Sequence, residues 1–359
     1  MQGRSWTQFK ELLGGGSALV TNLVRLIEGR LRPQKASVSS GLAVFSIETL
    51  ELWMIEVEVL MEDGRFEAAL EPLNDLCDPL SVAGLSTEFV RLARRCADSI
   101  PDWQTRLQEL LNFPILIDNL VTSLLRTGSF KDAEELIDRY ERAIPGRSSQ
   151  YIKVCDLKSE LFRFQERWQE AIEWGKRGKE LLALSGADTK YSSDHNWALA
   201  EREAGDREAA LAYFLGGRSL EAVMDEGFKR PDSSPGVFFG NIGRCLQLMG
   251  NRDGAIRLLR RSLKDIGQAK KQSLLNELNK GYAYFWIGMI LIDGGEIESA
   301  IHILRIGRDY WDRVSPALAV QISRELEKLS ERFADITRSS LQKPIKESVR
   351  VCSHWLEGH

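Results

Sequence analysis

The amino-acid sequence predicts an all-α solenoid, a stack of about six to seven helix hairpins. Two observations indicate this fold. A short pattern that ends one helix and begins another recurs along the 359 residues, and apolar residues at helical spacing flank its copies. The composition, 43% hydrophobic and 28% charged, is typical of a folded protein.

The recurring pattern is a glycine followed five places later by an alanine. Glycine ends the first helix of each hairpin because it adopts the left-handed conformation at little cost. A polar residue such as Ser129, Asp206 or Asn251 follows and can cap the next helix. The five copies are Gly64/Ala69, Gly128/Ala133, Gly205/Ala210, Gly250/Ala255 and Gly295/Ala300.

The flanking residues predict how the two helices of a hairpin pack. Leucine stands four places before the glycine in four copies, with Glu201 as the exception, and a large apolar residue stands nine places after it in all five. The residue seven places before the pattern glycine is itself a glycine in two copies, Gly243 and Gly288. We expect these small residues to face the alanine of the second helix. Small residues that face one another allow a close helix crossing.

A sixth, degenerate copy lies between the second and the third. Ala171 occupies the alanine position there, but Glu166 stands where glycine is expected. The 64 residues from Ala69 to Ala133 leave room for a further helix pair within Ser86–Leu111, which Pro101 would divide.

This pattern resembles the tetratricopeptide repeat, whose first helix carries a small residue twelve places before the alanine. Gly243 with Ala255, and Gly288 with Ala300, match this spacing, and the resemblance extends over residues 49–314. It implies a right-handed superhelix of antiparallel helix hairpins. We therefore expect N-terminal helices and a linker over 1–40, the repeat array over 41–314, a capping helix over 315–340, and a tail of doubtful order over 341–359.

Groups that could support catalysis or hold a cofactor are scarce in the sequence. The glycine-rich segment Leu12–Leu19 is not followed by the Lys-Ser/Thr of a phosphate loop. The four histidines are dispersed, and we expect His195 to be solvated rather than to contact a ligand. Cys352, His354 and His359 would lack a fourth metal ligand. We expect a protein that is not an enzyme and holds neither metal nor cofactor.

Charge and cysteine usage limit the partners and the compartment. A net charge of −4 gives no reason to expect nucleic-acid binding, and the nine tryptophans are better explained by core packing than by base stacking. The most apolar long stretch, Gly41–Met61, carries four glutamates, which excludes a membrane span. Five scattered cysteines favour a reducing compartment, so we expect a cytoplasmic protein.

The candidate binding residues share one register on the first helices. Asn119, Asn196 and Asn241 stand two places before the small residue, where a side chain would point to the concave side of a superhelix. An amide side chain can pair with any peptide bond, whereas Lys153 and Arg244 could hold a carboxylate. Alternatively, each asparagine pairs with a neighbouring helix.

Three functions remain open from the sequence. The residues favour an adaptor that binds a partner peptide or helix in its concave groove. A regulatory peptide sensor that acts through a partner protein is one alternative. A structural subunit of a larger complex is another, and the sequence does not identify the partner.

Overall fold

The computed structural model describes residues 45–144, 149–185, 193–225, 227–229, 234–269 and 273–357. Eighteen α-helices account for the secondary structure of these residues, and no β-strand occurs among them. The prediction of an all-α protein is confirmed. The helices predicted within residues 1–40 lie outside the described part of the chain.

The described part of the chain divides into two compact units, one formed by residues 45–124 and the other by the described residues from 125 to 357. The described helices of the first unit are α1 (Ile47–Glu62), α2 (Phe66–Val82), α3 (Ser86–Ser99) and α4 (Trp103–Glu109), followed by α5 (Asn112–Thr127), which crosses the division. The pair expected within Ser86–Leu111 is thus present as α3 and α4, and Pro101 lies between them.

The second unit contains thirteen described helices after α5. Its first half consists of α6 (Phe130–Ala143), α7 (Ser149–Phe164), α8 (Trp168–Ser185), α9 (Ser193–Ala204), α10 (Arg207–Leu215) and α11 (Leu220–Met224). Its second half consists of α12 (Val237–Leu248), α13 (Arg252–Gly267), α14 (Leu274–Asp293), α15 (Ile297–Val314), α16 (Pro316–Arg332), α17 (Ala334–Gln342) and α18 (Ile345–Glu357).

The helices of the second unit pack in a regular order. Each first helix of a predicted hairpin contacts its own second helix, as in α7 with α8, α9 with α10, α12 with α13, and α14 with α15. The first helices also contact one another in sequence, α7 with α9, α9 with α12, and α12 with α14. They therefore form a continuous layer, which we call the first-helix layer.

The glycine turns and the alanine positions agree with the sequence prediction. Four of the five anchor glycines have φ between 73° and 83°. A Cβ added to Gly288 would lie 2.6 Å from Cδ2 of Leu304, so the two helices approach closely there. Each pattern alanine has no exposed surface: Ala69, Ala133, Ala171, Ala210, Ala255 and Ala300.

The two exceptions to the pattern have local explanations. Glu201, which replaces the usual leucine, is buried, and its Oε2 accepts a hydrogen bond from the backbone N–H of Asp206 at 2.8 Å. Its Oε1 accepts one from Nε1 of Trp197 at 3.0 Å. Glu166 adopts the left-handed conformation that glycine adopts elsewhere, with φ 59°.

The C-terminal segment is more extensively helical than expected. The single helix predicted after residue 315 is divided at Phe333 into α16 and α17. Residues 345–357 form α18, which contacts α15, and Cys352 is buried against the core of this unit.

Candidate functional site

The structure places the predicted asparagines in hydrogen bonds to their own chain. In the first unit, Nδ2 of Asn119 donates to Oδ1 of Asn74 at 3.1 Å. In the second unit, Nδ2 of Asn196 donates to the carbonyl oxygen of Asp156 at 3.5 Å. Oδ1 of Asn241 accepts from Nη1 of Arg202 at 2.6 Å. Asn196 and Asn241 are each only 7% exposed, so little of either amide faces solvent.

The two predicted cations differ in their surroundings. Lys153 lies on α7 and is half-buried. Arg244 lies on α12, where its Nη2 and Nε donate to the two carboxylate oxygens of Glu203 at 2.7 and 3.2 Å. This fork-like pair fixes the guanidinium of Arg244 at the surface of the first-helix layer.

Arg202 joins the same cluster from α9. Its Nη2 lies 2.8 Å from Oε1 of Glu203, and the residue is 5% exposed. The guanidinium carbons of Arg202 and Arg244 lie 4.9 and 5.7 Å from the ring centre of Trp286. Two guanidinium groups thus share one carboxylate above an indole ring, where the ring face attracts cations.

These residues line a pocket of about 260 Å³, which we call the arginine pocket. The first helices α9, α12 and α14 supply Arg202, Glu203, Arg244 and Trp286, and the C-terminal end of α7 supplies Arg163. Helix α16 closes the opposite wall with residues that include Arg324. The arginine pocket therefore combines a charged floor with aromatic sides.

Helix α16 is tied to the turn between α7 and α8. Nη1 of Arg324 lies 3.7 Å from Oε1 of Glu166, and Nε2 of Gln321 donates to the same oxygen at 3.5 Å. Glu166 therefore contributes to one rim of the arginine pocket at the cost of a strained backbone conformation.

The electrostatics of the cluster are those of buried positive charge. Burial alone would raise the pKa of Glu203, but Arg202 and Arg244 lower it to about 2, so the carboxylate stays ionised. Burial lowers the pKa of Arg202, and of the charges around it Glu203 raises this pKa while Arg244 and Arg163 lower it. Arg202 and Arg244 both pair with the Glu203 carboxylate, and Arg163 adds a third guanidinium group to the lining of the same pocket.

His195 differs from its prediction. The His195 ring, which we expected to be solvated, is half-buried. Its centre lies 5.8 Å from the ring centre of Phe214, and the two rings make an edge contact. Burial lowers the pKa of His195 to about 4, and the charges of Arg163 and Arg202 act in the same direction. The imidazole is therefore neutral near pH 7.

Arg163 and Arg202 are not among the candidate residues predicted from the sequence. Both stand four places after the small residue of their first helix, Ser159 and Ala198, so a shared register was available as a signal. Nε of Arg163 is buried and has no hydrogen-bond partner among the described residues. Guanidinium donors of this kind bind carboxylate or phosphate oxygens.

Other features of the described residues bear on metals and membranes. No group of three or more His, Cys, Asp or Glu side chains among them is arranged to hold a metal ion. Burial raises the pKa of Cys352 to about 12, while the His354 side chain and His359 lie outside the described part of the chain. None of the described helices has the length and apolarity required to cross a bilayer.

Comparisons with known proteins yield structural likeness only. No protein-family model matches the chain, and no curated protein matches it. The crystal structure of BtubC (BKLC) from P. vanneervenii has a TM-score of 0.38 at 18% identity and covers 64% of this chain and 89% of that one. A signal transduction ATPase with numerous domains and a tetratricopeptide repeat sensor, from Pyrococcus horikoshii, also has a TM-score of 0.38, at 16% identity, and covers 83% of this chain. The present chain spans 49% of the Pyrococcus protein. TM-scores at this level do not establish a common fold.

Proposed function

We propose that this protein is a non-catalytic binding module of the tetratricopeptide-repeat type, a right-handed superhelix of antiparallel hairpins that holds a partner peptide or helix in its groove. The observation that carries the proposal is the arginine pocket. It draws its binding groups from α9, α12 and α14, successive members of the first-helix layer. In a stacked array this layer is the usual binding surface.

The chemistry of the arginine pocket supports recognition of a peptide. Arg244 and Arg202 carry guanidinium donors, and Trp286 offers an apolar face beside them. A volume of about 260 Å³ is at the small end for a ligand pocket, so it suits one or two residues of a longer segment. Asn241 acts as a positioning residue in this proposal because it accepts a hydrogen bond from Arg202.

The remaining predicted contacts belong to the same proposal. Lys153 and Asn196 would extend the binding surface along other first helices of the second unit, and Asn119 would contribute a contact in the first unit. All five cysteines are buried and none of them forms a disulfide, which suits the reducing conditions of the cytoplasm. We therefore place the module in the cytoplasm.

A peptide library tests the proposal. Phage-displayed peptides are selected on the wild-type chain, and the affinity of the best sequence is measured by fluorescence anisotropy. Arg244→Gln removes a guanidinium from the pocket floor, and Arg324→Gln removes an exposed one from its wall. Loss of a charge-assisted hydrogen bond in Arg244→Gln should weaken binding about ten-fold or more.

Arg252→Gln is the matched control. Arg252 also pairs with a glutamate, Glu296 at 2.5 Å, but it does not line the arginine pocket. The control should bind with wild-type affinity, and far-UV circular dichroism checks that all three variants remain helical. If both pocket variants bind like the control, the peptide does not bind in this pocket and the proposal fails.

A further inference from the structure

A second, larger groove lies along α13. It has a volume of about 1660 Å³ and is lined along the helix from Asp253 to Gln268. At 1.5 Å per residue this lining extends for about 22 Å, the length of roughly seven residues of extended chain. We call it the basic groove because more cationic than acidic side chains line it. It shares no lining residue with the arginine pocket.

The basic groove concentrates positive charge on an acidic protein. Two acidic side chains, Asp253 and Asp265, line it, against six cationic ones. The chain as a whole carries a net charge of −4. A groove with one prevailing sign of charge focuses the field and attracts ligands of the opposite sign. The six cations are Lys229, Arg257, Arg260, Arg261, Lys264 and Lys280.

Arg260 holds its charge without a carboxylate partner among the described residues. Its Nη2 donates to the carbonyl oxygen of Trp355 at 2.5 Å, and its guanidinium carbon lies 4.1 Å from the ring centre of Trp355. Its Nε is buried and has no hydrogen-bond partner among the described residues. Burial also lowers the pKa of Arg260, because a buried guanidinium loses hydration.

The exposed cations of the basic groove are available to a ligand. Lys229 and Lys264 are exposed, and neither forms an ion pair or a hydrogen bond with another described residue. Arg261 differs, because its Nη1 donates to the carbonyl oxygens of Val223 and Asp225 at 3.0 and 2.7 Å. Arg261 therefore shapes the wall, whereas the two lysines offer free charge.

The basic groove is also partly apolar. Ile256 and Leu263 of α13 line it, and Tyr284 and Tyr310 stack on each other in its wall with ring centres 5.8 Å apart. A ligand that matches both the positive charge and the apolar lining of the groove carries carboxylates next to apolar side chains. An acidic peptide segment in extended form has this chemistry, with side chains that alternate between two faces.

We propose that the basic groove is a second binding site, which takes an acidic, partly apolar peptide segment of about seven residues from a partner protein. The proposal goes beyond the arginine pocket, since the second helix α13 supplies more of the groove lining than any other helix and the first-helix layer supplies only Phe239, Lys280 and Tyr284. A chain with two such sites can join two partners.

The test uses the full chain and a fluorescein-labelled seven-residue peptide of alternating Glu and Leu. Fluorescence anisotropy should show saturable binding that weakens as salt is added. The double variant Lys229→Glu with Lys264→Glu should weaken binding about ten-fold or more, because it replaces attraction by repulsion at two points of the groove. The same peptide with Lys in place of Glu should not bind.

Lys131→Glu with Lys346→Glu is the matched control. Both lysines are exposed and lie outside the basic groove, and the change in net charge is the same. Wild-type affinity of this control supports the proposal. Equal weakening of both double variants, no saturable binding of the acidic peptide, or stronger binding of a single-stranded RNA of similar length would each overturn it.

The two proposals fail separately. Arg244→Gln should leave binding of the acidic peptide unchanged, because Arg244 lies in the arginine pocket only. If Arg244→Gln abolished it, the acidic peptide would bind in the arginine pocket and the basic-groove proposal would be wrong. Loss of library-peptide binding in Arg244→Gln would then still support the first proposal.

Discussion

Replacement of Gly288 by alanine tests the close helix packing on which the array is built. A Cβ at this position would lie 2.6 Å from Cδ2 and 2.7 Å from Cγ of Leu304. Leu304 is fully buried, so it has no open space into which it can move. Overpacking of a core costs about 1–3 kcal/mol, and two contacts this short place Gly288→Ala at the upper end, about 2–3 kcal/mol.

Helix propensity acts in the opposite direction. Alanine is favoured over glycine in a helix interior by about 1 kcal/mol. Gly288→Ala should therefore lower the free energy of unfolding by about 1–2 kcal/mol. Gly267 is the control, because a Cβ there would meet no atom within 4 Å. Gly267→Ala should raise the free energy of unfolding by about 0.5 kcal/mol, as expected near a helix end.

Urea unfolding followed by circular dichroism measures both changes. A double variant, Gly288→Ala with Leu304→Ala, isolates the clash, because the shortened side chain makes room for the new methyl group. Its destabilisation should be about 2 kcal/mol smaller than the sum of the two single changes. Close packing at Gly288 is refuted if Gly288→Ala is as stable as Gly267→Ala, or if the effects of Gly288→Ala and Leu304→Ala are additive.

Three further predictions follow from individual residues. Glu166→Gly should raise the free energy of unfolding, measured in urea titrations, by about 0.5–1 kcal/mol. Relief of the strained left-handed conformation outweighs the loss of the exposed ion pair with Arg324. A variant less stable than the wild type would contradict this. His195 has a pKa of about 4 in the folded state, below its ordinary value, so protonation favours the unfolded chain as the pH falls from about 6.5. Protonation of His195 should lower the free energy of unfolding by about 1–2 kcal/mol between about pH 7 and about pH 5. In His195→Gln this contribution to the pH dependence should be absent. A thiol reagent should modify the five buried cysteines only as fast as the chain opens, and rapid modification of the native chain would show that they are accessible.

The local features of the fold could be predicted because they depend on residues close in sequence. The glycine turns, the buried alanines and the close approach of the two helices at Gly288 all follow from spacings within one hairpin. The position of α16 could not be predicted in this way. Its contact with Glu166 joins residues 155 places apart, and no periodic pattern specifies it.

The candidate site could be predicted only in part for a similar reason. Asn241 and Arg244 both lie on α12, and the hydrogen-bond partner of Asn241 is Arg202, 39 residues away on another helix. Whether an amide faces a ligand or its own chain depends on the neighbouring helix. The shared register of Arg163 and Arg202 was present in the sequence, but only the structure shows that these cations share one pocket.

Hydrogen–deuterium exchange of the full chain with and without the library-selected peptide is the most direct test that the first-helix layer binds a partner. We predict that the peptide slows exchange in α9, α12 and α14, the helices that supply Arg202, Arg244 and Trp286 to the arginine pocket. Protection confined to the second helices α10, α13 and α15 would contradict the proposal.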